Sequence, residues 1–154
     1  MKVSPLIRAG CPADVPQLVP LVGQYWHFEG MEGFDAVTVA PLLTRIASQP
    51  QLGAIWVAET DGELVGYLIA VYIFSLEQKG LMAEIDEFFV SPAARTYGVG
   101  AALLAVAESD LAGAGCVAVQ LQLGKDNWRA RAFYGRHGYD ERAGYELLGK
   151  RLEE

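Results

Sequence analysis

The residues with the clearest potential for chemistry form a glycine-bearing loop after an apolar strand. Residues 88–100 read FFVSPAARTYGVG, which contains the pattern RxxGxG at Arg95, Gly98 and Gly100. Glycines allow a ligand to approach the backbone closely, and the first N–H groups of the following helix point outward at its positive dipole end. Arg95 adds a charge-assisted donor. The pattern indicates a phosphate or pyrophosphate loop, and the alternative is an ordinary loop before an amphipathic helix.

A second segment, Asn127 to Tyr139, follows the next predicted strand and reads NWRARAFYGRHGY. Asn127 is of a residue type that caps helix N-termini. Ala130, Phe133, Tyr134 and His137 are spaced to share one face of a helix.

Three carboxylates, Glu84, Asp86 and Glu87, lie on the strand that leads into the loop. Period-two alternation predicts Glu84 and Asp86 on one face of the sheet and Glu87 on the other. Carboxylates on a central strand suggest acid–base work, because buried acids are rare without a partner or a role. The alternative is a solvated start of the strand.

The elements that must position these residues follow from periodicity and turn signals. Asp14-x-x-Gln17 predicts a helix-start box, and Asp61-Gly62 predicts a hairpin turn. Strands are expected near residues 6–8, 54–58, 64–74, 83–90, 117–123 and 145–152, and helices from residue 14, over 36–48, from 99 and from 127. The order is βααβββαβαβ. This predicts an α/β (α+β) fold in which helices flank a mixed, mostly antiparallel sheet, with residues 1–154 as a single domain.

Composition restricts the class of protein. The chain is 52% hydrophobic with a net charge of −7, which favours a folded core and argues against binding nucleic acid. No signal peptide or spanning segment is expected, and Cys11 and Cys116 have no metal or disulfide spacing. A cytoplasmic protein without a metal or a membrane partner is predicted.

The two motifs together resemble the GCN5-related N-acetyltransferase superfamily. RxxGxG follows a strand ending in Val-x-Pro, NxxAxxFYxxxGY comes about 30 residues later, and the two motifs span residues 88 to 139. The resemblance implies acetyl-coenzyme A as co-substrate, with its pantetheine along the strand edge at Phe88, Phe89 and Val90. It also implies that Asn127 contacts the cofactor and that Tyr134 lies beside the thioester sulfur. The loop residues whose amides would hold the pyrophosphate are Arg95, Thr96, Tyr97, Gly98, Val99, Gly100 and Ala101.

One loop position departs from the pattern of the superfamily, because Thr96 stands where Gly usually follows the Arg. Two effects are open: the hydroxyl adds a hydrogen bond to a phosphate, or the side chain restricts the loop and weakens binding.

Acetyl transfer requires a neutral amine, a stabilised oxyanion and protonation of the departing thiolate. A Tyr hydroxyl with a pKa near ~10 can protonate the thiolate, so Tyr134 is the candidate acid, with core packing as the alternative role. Glu84, Asp86 and Glu87 are the candidate bases, with a water relay also open. A backbone N–H near Val90 is the expected oxyanion donor.

The tract from Tyr25 to Glu32, at the end of the first helix, combines aromatic and acidic residues and could bind a cationic acceptor. The alternative is that its aromatic residues belong to the core and its acids to the surface. Phe28-Glu29-Gly30-Met31-Glu32 and Asp86-Glu87-Phe88-Phe89-Val90 resemble segments of the diamine (spermidine/spermine-type) acetyltransferase group. That resemblance implies an amine pocket formed by Phe28, Glu29, Asp86 and Glu87. Alternatives are peptide or antibiotic amines, or a non-catalytic acyl-coenzyme A binding domain. The superfamily also implies a homodimer.

Overall fold

A computed structural model describes residues 4–153, which form four α-helices and five β-strands. The elements in chain order are β1 (Leu6–Ala9), α1 (Val15–Phe28), α2 (Ala36–Ser48), β2 (Gly53–Thr60), β3 (Glu63–Ser75), β4 (Gly80–Val90), α3 (Val99–Gly113), β5 (Ala118–Leu121) and α4 (Trp128–Arg136). Two compact units result, with the boundary between Gln122 and Leu123. The first unit contains all five strands and α1 to α3, and the second contains α4.

The strands form one sheet in the order β1-β2-β3-β4-β5. The first four pair antiparallel, and β5 runs parallel to β4. The hairpin between β2 and β3 turns at Asp61 and Gly62, which both have positive φ, 51° and 81°, as a two-residue turn of this kind requires. The mixed, mostly antiparallel sheet and the element order from β1 to α4 therefore confirm the prediction.

The two faces of the sheet pack against different helices. Val57, Tyr67 and Ile69 belong to the core cluster that includes Leu18 and Val22 of α1. Neighbouring Trp56 instead donates its indole N–H to Asp110 of α3 at 2.8 Å. Successive residues of a strand point to opposite faces, so β2 is buried on both sides and the helices fix the position of the sheet between them.

No helix among residues 4–153 has both the length and the apolar character needed to cross a membrane.

The C-terminal segment differs from the expected order. Residues 145–152 lie within the described range but form no strand. A strand needs a paired neighbour and a buried face, whereas the side chains of Tyr145, Leu147, Leu148 and Leu152 are between 68% and 93% exposed. The strand predicted at 117–123 is also shorter, since β5 covers only Ala118–Leu121.

The start of α1 was predicted at the right place, but the predicted Asp14–Gln17 box is wrong. Asp14 makes no cap hydrogen bond to α1, because its carboxylate accepts both terminal nitrogens of Arg8 at 2.8 Å and the backbone N–H of Cys11. The Gln17 side chain instead accepts from the N–H of Leu64 and donates to the carbonyl of Gly62. Arg8 and Cys11 therefore occupy the carboxylate of Asp14, and the distant residues Gly62 and Leu64 occupy the side chain of Gln17.

The ion pair with Arg8 makes stability depend on pH. Mainly through the Arg8 hydrogen bonds, the pKa of Asp14 falls to about 2, below the unfolded value of ~3.9. This contribution is complete above about pH 4 and is lost as the pH falls toward about 2. We expect Asp14→Asn to cost about 1–3 kcal/mol at pH 7 by urea unfolding, and the difference from the parent to shrink below pH 4. A pH-independent difference, or an equal loss in the exposed control Asp126→Asn, would contradict this.

Candidate active site at the end of strand β4

The last residues of β4 are paired on one side only within the sheet. Strand β3 accompanies β4 as far as Val90, which lies opposite Gly66. Strand β5 pairs only with Met82 to Ile85. Among the strands of the described residues, none therefore pairs with residues 88–90 on the β5 side. A strand edge of this kind offers backbone donors and acceptors to an extended ligand.

A β-bulge lies at Asp86, where the acidic residues are found. The neighbouring residues Ile69 and Ala70 of β3 pair with Glu87 and Ile85 of β4, which are two residues apart. Asp86 is thus the extra residue of the bulge, which shifts the alternation of β4.

The bulge makes the predicted distribution of the acids wrong. Glu84 lies opposite Val71 and Glu87 opposite Ile69, two residues apart on β3, so the two glutamates share the face of the sheet that binds α1. Simple alternation assigned Glu87 to the other face, because a bulge leaves no signal in the residue pattern.

Both carboxylate oxygens of Glu87 accept hydrogen bonds. The indole N–H of Trp26 donates to one at 2.7 Å, and the hydroxyl of Tyr67 donates to the other at 2.9 Å. Burial raises the pKa of Glu87, and these two hydrogen bonds oppose the rise. Glu87 therefore connects β4 with α1 and β3.

Tyr67 is the site residue that the sequence analysis missed. It is fully buried, and its ring lies edge-on to Tyr25 at 6.5 Å and tilted to Phe89 at 6.3 Å between centroids. In the sequence it is one aromatic in a long apolar strand, and only its position opposite Phe89 brings the hydroxyl to Glu87.

The other two acids have different surroundings. Glu84 accepts a hydrogen bond from the side-chain amide of Gln120 at 2.9 Å. Asp86 is exposed at the surface. Its pKa is nevertheless raised, mainly because the surrounding protein partly desolvates the carboxylate and secondly because Glu84 carries a negative charge. The charge of Asp86 in turn contributes to the raised pKa of Tyr25, whose value is about 12 mainly through burial. Asp86 is thus the acid at this strand end that is both accessible and more basic than usual.

The loop predicted to bind phosphate leads directly into α3. Residues Pro92–Tyr97 form a 3-10 turn, and Gly98 follows with φ 73° as the N-terminal cap of α3. No side chain caps this helix end. The first amides of α3 are therefore not satisfied by a capping side chain, and a helix end of this kind can accept an anion.

Thr96 is exposed and lies inside the 3-10 turn. The non-glycine residues with positive φ in the described chain are Asp61 and Lys79, so Thr96 adopts an ordinary conformation and needs no glycine. The substitution does not strain this loop.

Arg95 makes contacts that the motif does not suggest. Its Nε donates to the carbonyl of Val90 at 2.9 Å. Its guanidinium carbon lies 4.5 Å from the ring centroid of Phe28 and 5.4 Å from that of Phe89. The residue predicted for the phosphate loop thus touches the end of α1, where the predicted acceptor tract lies.

The acceptor tract divides between core and surface. Trp26 is half-buried and bound to Glu87, whereas Phe28 and Glu29 are exposed. The negative charge of Glu29 contributes to the raised pKa of Tyr25. Phe28 is linked to the end of β4 through Arg95, and Trp26 is linked to β4 through Glu87.

The second unit holds Asn127 and Tyr134. Asn127 caps α4, and its side-chain oxygen accepts the N–H of Ala130 at 3.1 Å, as predicted from its residue type. The ring of Tyr134 is half-buried and lies 5.4 Å from the rings of both Phe133 and Tyr139 in edge-on geometry. Its neighbours hold this ring in place.

Within residues 4–153, no three His, Cys, Asp or Glu side chains come together in an arrangement able to hold a metal ion.

Comparison with known proteins assigns this arrangement to a family. The sequence model described as Acetyltransferase (GNAT) family matches residues 21–139. An uncharacterized N-acetyltransferase of Bacillus subtilis (strain 168) is 29% identical over 143 residues, covering 90% of this chain and 92% of that protein.

Solved structures agree with the fold. An integron cassette protein from the mobile metagenome of Cole Harbour Salt Marsh superposes with a TM-score of 0.83 and 30% identity, over 96% of this chain and 91% of the other. An aminoglycoside acetyltransferase from an uncultured soil metagenomic sample has a TM-score of 0.80 at 18% identity, over 96% and 97% of the two chains, which supports the fold alone. The chain belongs to the acetyltransferase (GNAT) family and is an N-acetyltransferase.

Proposed function

We propose that this protein transfers the acetyl group of acetyl-coenzyme A to a primary amine of a small cationic acceptor, by direct attack of the amine on the thioester. The observation that supports this most is the bulge at Asp86, which places Glu84 and Glu87 on one face of the sheet and leaves Asp86 exposed between them in the strand. An acidic site attracts an ammonium group and can accept its proton.

The residues at this strand end fit coenzyme A. The edge of residues 88–90 lacks a β5 partner, and the start of α3 lacks a side-chain cap. Phe88, Phe89 and Val90 would hold pantetheine through their backbone, and the amides of residues 95–101 would bind the pyrophosphate. When bound, coenzyme A supplies the activated acetyl thioester. Gly98 suits this role for two reasons. Its φ of +73° is a conformation that residues with a side chain rarely adopt, and the space where a Cβ would stand holds no protein atom within 4 Å.

We assign the base to Asp86, with Glu87 as a positioning residue and Glu84 as an additional negative charge. Asp86 is exposed, and its raised pKa makes it a stronger base than an ordinary carboxylate. Glu87 is less suited to receive a proton from the acceptor, since both oxygens already accept hydrogen bonds. The backbone N–H of Val90 is the proposed oxyanion donor, and Arg95 restrains the adjoining Val90–Ser91 peptide through the Val90 carbonyl.

Tyr134 is the proposed acid that protonates the departing thiolate, and Asn127 the proposed further contact to the cofactor. Both residues belong to the second unit, so the proposal requires the two units to form one acetyltransferase domain over residues 1–154. The family match supports this, because it extends from 21 to 139 across the boundary at Leu123.

A polyamine-like acceptor is the finer part of the proposal. Glu29 is exposed near Tyr25, whose pKa also reflects the charges of Glu87 and Asp86. Several negative groups around one site favour an acceptor that carries more than one positive charge.

The test is release of free thiol from acetyl-coenzyme A with a panel of spermidine, putrescine, amino acids, aminoglycosides and peptides with free N-termini. We expect kcat/KM for the di- and polyamines to exceed that for the monocationic amines by about tenfold or more, since each added charge-assisted contact contributes about 1.5–3 kcal/mol. Activity confined to peptides or aminoglycosides would remove the polyamine proposal and leave the acetyltransferase in place.

A further inference from the structure

Arg95 joins two parts of the first unit that the proposed function assigns to different substrates. On the cofactor side it belongs to the loop before α3, and its Nε holds the carbonyl of Val90 at the end of β4. On the acceptor side its guanidinium carbon lies 4.5 Å from the centroid of the Phe28 ring. A guanidinium within about 6 Å of an aromatic centroid makes a favourable cation–π contact.

Tyr25 and Trp26 attach the last turn of α1 to the sheet, through ring contacts of Tyr25 with Tyr67 and a hydrogen bond from Trp26 to Glu87, whereas Phe28 lies beyond them at the helix end. Phe28 is the last residue of the helix and is 57% exposed, so apolar burial contributes little to its position. Beyond it the chain reverses at Gly30 with φ +69°. The N–H of Gly30 donates to the His27 carbonyl and that of Met31 to the Trp26 carbonyl, which closes the helix in a Schellman motif. These amides report how firmly the end of α1 is held.

We propose that Arg95 is a positioning residue that couples coenzyme A binding to the order of the acceptor-side end of α1. A ligand that orders residues 95–101 also restrains the side chain of Arg95. The contact with Phe28 then costs less conformational entropy, and the last turn of α1 opens less often. By linkage, an acceptor that orders the end of α1 strengthens coenzyme A binding by the same factor. This inference rests on the proposed use of coenzyme A.

The experiment is hydrogen exchange at the backbone amides of residues 29–31, with and without coenzyme A alone as the probe. In the parent protein we expect saturating coenzyme A to slow exchange there about two- to fivefold, the range that a single cation–π contact on an exposed ring provides. In Arg95→Met and in Phe28→Leu we expect this slowing to be lost. The amide of Ala102, which donates to the Gly98 carbonyl in the first turn of α3, remains protected by the ligand in all of them.

Two controls separate coupling from simple loss of structure. Arg142→Met removes a cation–π contact of the same 4.5 Å geometry, to Tyr145 in the second unit, and should leave the response of residues 29–31 unchanged. The measured quantity is the change in exchange rate when coenzyme A is added, at a concentration of about ten times the Kd of each variant or more. A variant that is uniformly looser does not imitate this change. The double variant Arg95→Met with Phe28→Leu should lose no more of the response than either single one.

The outcomes distinguish this inference from the function on which it rests. If coenzyme A protects Ala102 but not residues 29–31 in the parent, the coupling is wrong and the cofactor site stands. If the response at residues 29–31 persists in both single variants, Arg95 does not carry it. If coenzyme A neither binds nor protects any amide of residues 95–102, the proposed cofactor is wrong and the coupling fails with it.

Discussion

Tyr134→Phe should lower the rate of acetyl transfer by about a hundredfold or more while the affinity for coenzyme A changes little. The hydroxyl is the group proposed to protonate the thiolate, and a positioned general acid contributes about 10²–10⁴-fold. The ring is already held between Phe133 and Tyr139, so removing one oxygen leaves its packing intact. Single-turnover release of thiol gives the rate, and calorimetric titration with coenzyme A gives the affinity.

The matched control is Tyr145→Phe, because Tyr145 lies in the same unit but is 68% exposed. It should retain the parent rate. An unchanged rate in Tyr134→Phe would remove this residue as the acid, and a parallel loss of coenzyme A affinity would indicate a binding role instead.

Asp86→Asn should lower kcat by about a hundredfold and should change the dependence of the rate on pH. In the parent, activity rises as the base loses its proton. Burial and the charge of Glu84 raise the pKa of Asp86, so this rise lies at higher pH than for an ordinary carboxylate, which titrates near ~3.9. In Asp86→Asn, the rise of the rate at acidic pH is absent, and the remaining pH dependence of the rate reflects deprotonation of the acceptor amine. The measurement is kcat and kcat/KM from about pH 4 to 10.

Comparison variants show whether the effect belongs to Asp86 itself. Glu63→Gln removes an exposed acid at the first position of β3 and should leave both rate and profile unchanged. Glu87→Gln should mainly lower the free energy of unfolding, by about 1–3 kcal/mol, because it alters the acceptor for Trp26 and Tyr67. If Glu87→Gln abolishes the acidic limb and Asp86→Asn keeps it, the two roles must be exchanged.

Local patterns along the chain were sufficient for most of the fold. The hairpin at Asp61-Gly62 was predictable because type I′ turns need positive φ at both positions, and α2 was predicted at the observed bounds, Ala36 to Ser48. Asn127 was predictable as a helix cap for the same reason, since the hydrogen bond it makes spans only three residues.

Predictions that depended on distant partners were less successful. The Asp14–Gln17 box was wrong because Arg8 and Leu64 compete for these side chains. The strand expected at residues 145–152 is absent from the described structure, since hydrophobic residues alone do not supply a paired neighbour.

The amino-acid sequence by itself determined the family, the glycine-bearing loop and the presence of three acids before it, because these depend on residue types at short spacing. Only the tertiary structure decided which way those acids point and which are available. A single bulged residue places Glu84 and Glu87 on one face, and Trp26 and Tyr67 then occupy both oxygens of Glu87 from elements far away in the chain. Arg95 shows the same division, since its motif suggests an anion but its position depends on Phe28, a residue of another helix. The physical reason is that such contacts are formed between elements brought together by packing, and no local pattern encodes them.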